Sequence, residues 1–116
     1  MVDTSDAVQD EFAQIVQRLK SKQPLARPVV IMVHEDNCPA CVCGKDNLKA
    51  LARDGYRQTV DFYLTTFHTF QDLYPTPQVE VIPTQLLFDC QGSLQLLATG
   101  ASVEQLKKAL DELLHR

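Results

Sequence analysis

Two cysteines separated by two residues, Cys38-Pro39-Ala40-Cys41, follow closely on the apolar run Val29-Val30-Ile31-Met32-Val33 and precede a stretch with helical spacing. A strand that delivers C-x-x-C to the first turn of a helix is the setting in which that spacing reads as a dithiol redox site. At positions i and i+3 of a helix start, the two Cα atoms lie roughly 5–6 Å apart, inside the window a disulfide tolerates. The pair can therefore open and close without moving the backbone. The helix start also offers free N–H groups and a positive dipole end to the first sulfur, which suits a nucleophile. A second landmark, Ile82-Pro83-Thr84, leads into another apolar run.

The elements that must position these residues can be read in order. Asp3 to Lys20 carries Val8, Phe12, Ile15, Val16 and Leu19 at amphipathic helical spacing, with Thr4 or Ser5 as cap. Pro28 to Val33 is apolar and β-branched throughout, the pattern of a central strand covered on both faces. His34-Glu35-Asp36-Asn37 forms a polar loop, and Pro39 falls where a first helical turn needs no N–H. In the helix that follows, Cys41, Gly44, Leu48, Leu51 and Ala52 share one face and Gly55 ends it. That spacing makes Cys41 the shielded thiol and leaves Cys38 at the tip.

Thr59 to Thr65 alternates as a second strand, and Phe67 to Tyr74 is a short helix stopped by Pro75 and Pro77. Thr84 to Phe88 and Leu94 to Ala98 form an antiparallel hairpin around Cys90-Gln91-Gly92-Ser93. Ser102 and Gln105 then suggest a capping box for a final helix lined by Val103, Leu106, Leu110, Leu113 and Leu114. The expected fold is α/β, three-layered, with a mixed four-stranded sheet covered by helices on both faces in the order α-β-α-β-α-β-β-α.

With 116 residues and 45% hydrophobic content, the chain fits one domain, 1–116, with a single core. No apolar run approaches the roughly 18 residues of a membrane span. The acidic, polar start Met1-Val2-Asp3-Thr4-Ser5-Asp6 is unlike a secretory leader, so a cytoplasmic protein is expected. A net charge of −4 argues against nucleic acid or an anionic membrane surface as partner. Four cysteines are too few and too clustered for a disulfide scaffold, and in a reducing compartment they read as redox or metal-binding groups.

These residues in this order resemble the thioredoxin family. The resemblance covers roughly residues 26–114 and rests on Cys38-Pro39-Ala40-Cys41 paired with Val81-Ile82-Pro83-Thr84-Gln85-Leu86-Leu87-Phe88, followed by Gly92, Gly100-Ala101 and the Gln105–Leu114 helix. It implies a cis proline at Pro83 opposite the dithiol. Three departures stand out. The chain opens on a helix as glutaredoxins do, Asn37 replaces the usual Trp before the first Cys, and Met32 replaces the family's buried acid. A thioether neither accepts nor donates a proton, so deprotonation of Cys41 has to be helped by water, by His34 or by the departing thiolate.

The resemblance implies a thiol–disulfide oxidoreductase that reduces protein disulfides and serves cell redox homeostasis. Cys38 attacks the substrate disulfide and Cys41 resolves the mixed disulfide, the redox-active disulfide being the only cofactor. Ile82 and Pro83, with Pro39 and Ala40 between the cysteines, are assigned to the substrate surface, where an extended segment can pair with the Ile82 backbone. His34 and Cys43 are modulators, and Cys90 lies at the far end of its strand. The expected partners are a disulfide-containing protein and an upstream dithiol reductant such as a thioredoxin reductase, acting on a monomer without metal, nucleic acid or membrane. Two alternatives remain: a glutaredoxin-type, glutathione-using reductase, and a metal-binding module built on Cys38, Cys41 and Cys43.

Overall fold

The computed structural model of the chain describes residues 6–56, 58–74 and 79–115. Four helices and four strands follow one another as α1 (Asp6–Lys20), β1 (Val29–His34), α2 (Pro39–Leu51), β2 (Asp61–Thr66), α3 (Phe67–Leu73), β3 (Thr84–Phe88), β4 (Leu94–Thr99) and α4 (Glu104–Leu114). The expected caps Thr4 and Ser5, and the stops Pro75 and Pro77, lie outside the described residues.

The apolar run Val29–Val33 dictates the layering. A strand with no polar alternation has to be covered twice, and β1 accordingly lies inside a sheet of order β2-β1-β3-β4. It pairs parallel with β2 and antiparallel with β3, and β3 pairs antiparallel with β4. Strand alternation divides its side chains. Val29, Ile31 and Val33 pack with Phe12, Val16 and Leu19 of α1 and Phe70 of α3. Val30 and Met32 pack on the other face with Leu48 and Leu51 of α2 and Leu106 and Leu110 of α4. Each such buried side chain contributes about 1.5–3 kcal/mol, and every described helix is held to the sheet in this way.

Three local expectations are corrected. The second helix runs on past Leu51 into a widened turn, Ala52–Tyr56, where Gly55 takes φ +120°, a conformation that favours glycine. Tyr56 then turns inward, and its hydroxyl donates to Asp111 of α4, tying the end of the turn to the last helix. Strands β1 and β2 start and end one or two residues later than their apolar patterns suggest, because the ladder pairs Val29 with Asp61 and His34 with Thr66. Finally, Ser102 does not form a capping box. Its hydroxyl accepts from the Glu104 N–H at 3.3 Å, two residues on, and helix α4 begins without a side-chain cap at Val103.

Gly44 fixes how closely α2 approaches the site loop. A Cβ built there meets Pro83 Cγ at 3.4 Å and Met32 Cε at 3.5 Å, which is ordinary contact. Gly44→Ala is therefore expected to fold as well as the native chain, or better by up to about 1 kcal/mol from helix propensity. Gly44→Leu has no room against Pro83 and Met32 and should lose about 1–3 kcal/mol in chemical denaturation.

Candidate functional site

Strand β1 ends at half-buried His34, and Glu35, Asp36 and Asn37 carry the chain over the sheet edge in full exposure. Asn37 takes φ +57°, a left-handed conformation that asparagine tolerates better than most residues. The turn seats Cys38 as N-cap of α2 with extended backbone, φ −119° and ψ 102°, and Pro39 occupies the first helical turn. The Cys38 sulfur accepts a hydrogen bond from the Cys41 N–H at 3.2 Å, the service a serine or aspartate usually gives at this position. The Cys38 carbonyl closes the turn by accepting from the N–H groups of Cys41 (3.0 Å) and Val42 (3.2 Å).

One side of the thiol pair is open and the other is closed. Cys38 is half-buried, whereas Cys41 is 1% exposed. Burial pushes the Cys41 thiol up from its ordinary value, and the hydrogen bond to Cys38 pushes it further; the Glu35 backbone and the Lys45 ammonium pull the other way. Pro39 and Ala40 are exposed at the helix tip. Cys43 is exposed on the helix flank, and Cys90 sits beyond the far end of β3, where its carbonyl accepts from the Leu25 N–H at 2.6 Å. The structure thus brings Cys38 and Cys41 together and leaves the other two cysteines apart. Among the described residues no three His, Cys, Asp or Glu side chains are grouped to hold a metal ion.

The second landmark packs beneath the helix. The Ile82–Pro83 bond is cis, Pro83 is buried and Ile82 half-buried. The Thr84 hydroxyl donates to the Val81 carbonyl, and the Pro83 carbonyl accepts from the Gly100 N–H at 3.0 Å. The Gln85 amide donates to the Gly100 carbonyl at 2.9 Å, and Asn47 of α2 donates to the Ala101 carbonyl at 2.8 Å. Pro83, the Gly100 loop and α2 are held as one unit by these bonds.

Several members of the site had no clear mark in the sequence. Lys45 lines the mouth beside Cys38 together with Glu35 and Asp36, and acts on both Cys41 and His34. Its position four residues after Cys41, one helical turn on, was the available signal. Val42 (58% exposed) follows the dithiol and Val81 (50% exposed) precedes Ile82, giving both site segments an apolar exposed residue. Gln85 is wholly buried, with Oε1 lacking a partner.

No family model matches the chain, and no curated protein matches it. Solved structures do. A thioredoxin from Trypanosoma brucei brucei superposes with a TM-score of 0.72 at 16% identity, covering 87% of this chain and 87% of its own. The chain has the thioredoxin fold. A thioredoxin from Nicotiana alata gives a TM-score of 0.70 at 21% identity, over 95% of this chain and 87% of that one. Mitochondrial thioredoxin 3 of Saccharomyces cerevisiae, in its oxidized form, gives 0.69 at 24% identity over 90% of each chain. Within this thioredoxin fold, the Cys38–Cys41 pair stands at the N-terminus of the helix that follows a central strand, with the Pro83 loop packed against the same helix.

His34 adds a pH-dependent element. Burial lowers its pKa from 6.5, Lys45 lowers it further, and Asp36 and Glu35 partly offset this. A histidine with a depressed folded pKa holds fewer protons folded than unfolded, so it adds stability above about pH 6.5 that is lost as pH falls through its folded value. His34→Gln is expected to flatten the decline in stability below pH 6.5, read as denaturation midpoints between pH 7.5 and 5. An unchanged slope would contradict the burial of this imidazole.

Proposed function

We propose that the chain is a thiol–disulfide oxidoreductase that reduces protein disulfides through Cys38 and Cys41. The observation that carries this reading is the asymmetry of the pair: one half-buried sulfur at a helix N-cap, hydrogen-bonded by the backbone of a buried second thiol three residues on. The thioredoxin fold shared with the chains above supports it.

In the forward reaction, the Cys38 sulfur attacks one sulfur of the substrate disulfide. That S–S bond breaks, and the released sulfur leaves as a thiolate that takes a proton. Cys41 then loses its proton and attacks the Cys38 sulfur. The mixed disulfide breaks, and the second substrate sulfur leaves reduced. Two electrons pass from the dithiol to the substrate, and an upstream dithiol reductant resets Cys38–Cys41. The redox pair itself is the only cofactor this cycle requires. Pro39 and Ala40 follow the attacking sulfur at the exposed helix tip, and in this reading the Pro83 loop, packed against the same helix, offers the Ile82 backbone to an extended substrate segment, with the exposed, apolar Val81 beside it in the chain. The protein works as a monomer in the cytoplasm, on protein substrates rather than nucleic acid or membranes. Among the described residues no helix is long and apolar enough to cross a membrane.

Pro39 directly after Cys38 favours a second reading, a glutathione-using reductase. The electron donor separates the two. Oxidised protein should be reduced rapidly by NADPH and a thioredoxin reductase and slowly by millimolar glutathione. The reverse preference would establish the glutaredoxin-type reading.

A further inference from the structure

The strand register puts three loops at one end of the sheet. Val33 pairs with Thr84, and Thr84 pairs with Thr99, so β1 ends where β3 begins and where β4 ends. The loop to Cys38, the Pro83 loop and the Gly100 loop therefore stand at the same end. There Gly100 is gripped on both sides of its backbone. Its N–H donates to the Pro83 carbonyl at 3.0 Å, and its carbonyl accepts from the Gln85 amide at 2.9 Å. Gly100 takes φ +97°, and a Cβ built there meets nothing within 4 Å. No packing on that side fixes the loop, so hydrogen bonds have to.

Gln85 is an unusual donor for this purpose. It is wholly buried, and in the ladder it stands between Met32 of β1 and Ala98 of β4. Strand alternation places it with Met32 and Leu87 on the face that α2 and α4 cover. Its Oε1 has no partner, and a buried amide with an unmet acceptor destabilises the core around it. An apolar side chain of the same length would fill the place without that penalty. What the amide supplies, and an apolar side chain cannot, is the bond to Gly100.

We propose that Gln85 is a positioning residue for protein substrates. From inside the core its amide locks the Gly100 loop to the Pro83 loop, and so holds the Ile82 backbone ready for an extended segment. This role rests on the oxidoreductase reading above, and Gln85 acts through Gly100 rather than on either sulfur. A backbone edge that takes an added strand gains affinity from main-chain hydrogen bonds, which need an ordered edge. A loop fixed before the substrate arrives leaves less ordering to be done on binding. Without the Gln85 bond, the carbonyl of half-buried Gly100 turns to water, and the substrate has to order the loop itself. A small disulfide that meets only Cys38 makes no use of the edge. The device therefore favours protein disulfides in particular.

Gln85→Met keeps the length of the side chain and removes the donor. Reduced protein is mixed with increasing concentrations of insulin, quenched with acid and alkylated, which gives the half-saturating concentration and the limiting rate of a single turnover. With Gln85 as positioning residue, the half-saturating concentration rises about fivefold in the variant, the worth of one ordinary hydrogen bond, and the limiting rate stays within about twofold. The rate with the small aromatic disulfide of thionitrobenzoate also stays within about twofold. An unchanged half-saturating concentration for insulin overturns the role of Gln85. An equal loss on both substrates, or a fall confined to the limiting rate, overturns it too, because neither is a docking defect. Gln85→Leu is the second variant, and failure of both variants to fold would make the amide a requirement of the core and overturn the positioning role. A native protein that reduces neither insulin nor the aromatic disulfide overturns the oxidoreductase reading itself, and the proposal with it.

Discussion

Replacing Cys41 by serine should stop the cycle halfway, leaving one substrate chain covalently attached to Cys38. The half-buried Cys38 sulfur still attacks, because its N-cap geometry depends on the backbone N–H of residue 41 and not on the second sulfur. With no second thiol, the mixed disulfide has no route to resolution inside the protein. Cys38→Ser should show neither the mixed disulfide nor turnover, a loss of at least about a thousandfold in steady-state reduction, since the group that forms the covalent intermediate is gone. Non-reducing electrophoresis after mixing with a protein disulfide checks both variants. The Cys41→Ser adduct should form in near-stoichiometric yield, and alkylation near neutral pH should label Cys38 well before the 1%-exposed Cys41. Equal trapping by both variants would contradict the assigned roles.

Met32→Asp should be the most damaging single change beneath the site. Met32 is wholly buried, lies within reach of Gly44 and is enclosed by the α2 and α4 side chains. An aspartate there loses the packing of the thioether and buries a carboxyl without a partner, a cost of about 1–3 kcal/mol before any ionisation. Its charged form is disfavoured further, so the folded pKa rises above the ordinary value of about 3.9. The folded chain then holds a proton that the unfolded chain releases. The stability gap to the native protein should widen as pH rises from about 4, by up to about 1.4 kcal/mol per pH unit, until the folded pKa is passed. Urea denaturation at pH 4, 5.5 and 7 checks this, with the volume-conserving Met32→Leu as control, expected within about 1.5 kcal/mol of native at every pH. A gap independent of pH would show that a carboxylate finds a partner at this depth.

The central strand was legible because Val29–Val33 offers no polar alternation, which leaves only a doubly covered strand. The burial of Cys41 was legible for a related reason. Its spacing to Gly44, Leu48 and Leu51 defines one helix face, and a single apolar face has one place to go. What escaped notice depends on tertiary placement. Gln85 looks like an ordinary polar residue within a strand, and it is wholly buried in β3, which lies inside the sheet between β1 and β4. Val42 and Val81 are exposed because the sheet and helix leave their ends open, which no periodicity records. The capping box suggested by Ser102 and Gln105 failed because helix α4 starts one residue later than its motif requires, at Glu104.

Substrate reduction should leave behind a disulfide between Cys38 and Cys41. Reduced protein mixed with one equivalent of a protein disulfide, quenched with acid, alkylated and digested without reduction, reports this directly by peptide mass. The expected product is a single intramolecular bridge between Cys38 and Cys41, with Cys43 and Cys90 recovered as alkylated thiols. A bridge that includes Cys43 or Cys90, or four alkylated thiols beside reduced substrate, would contradict it.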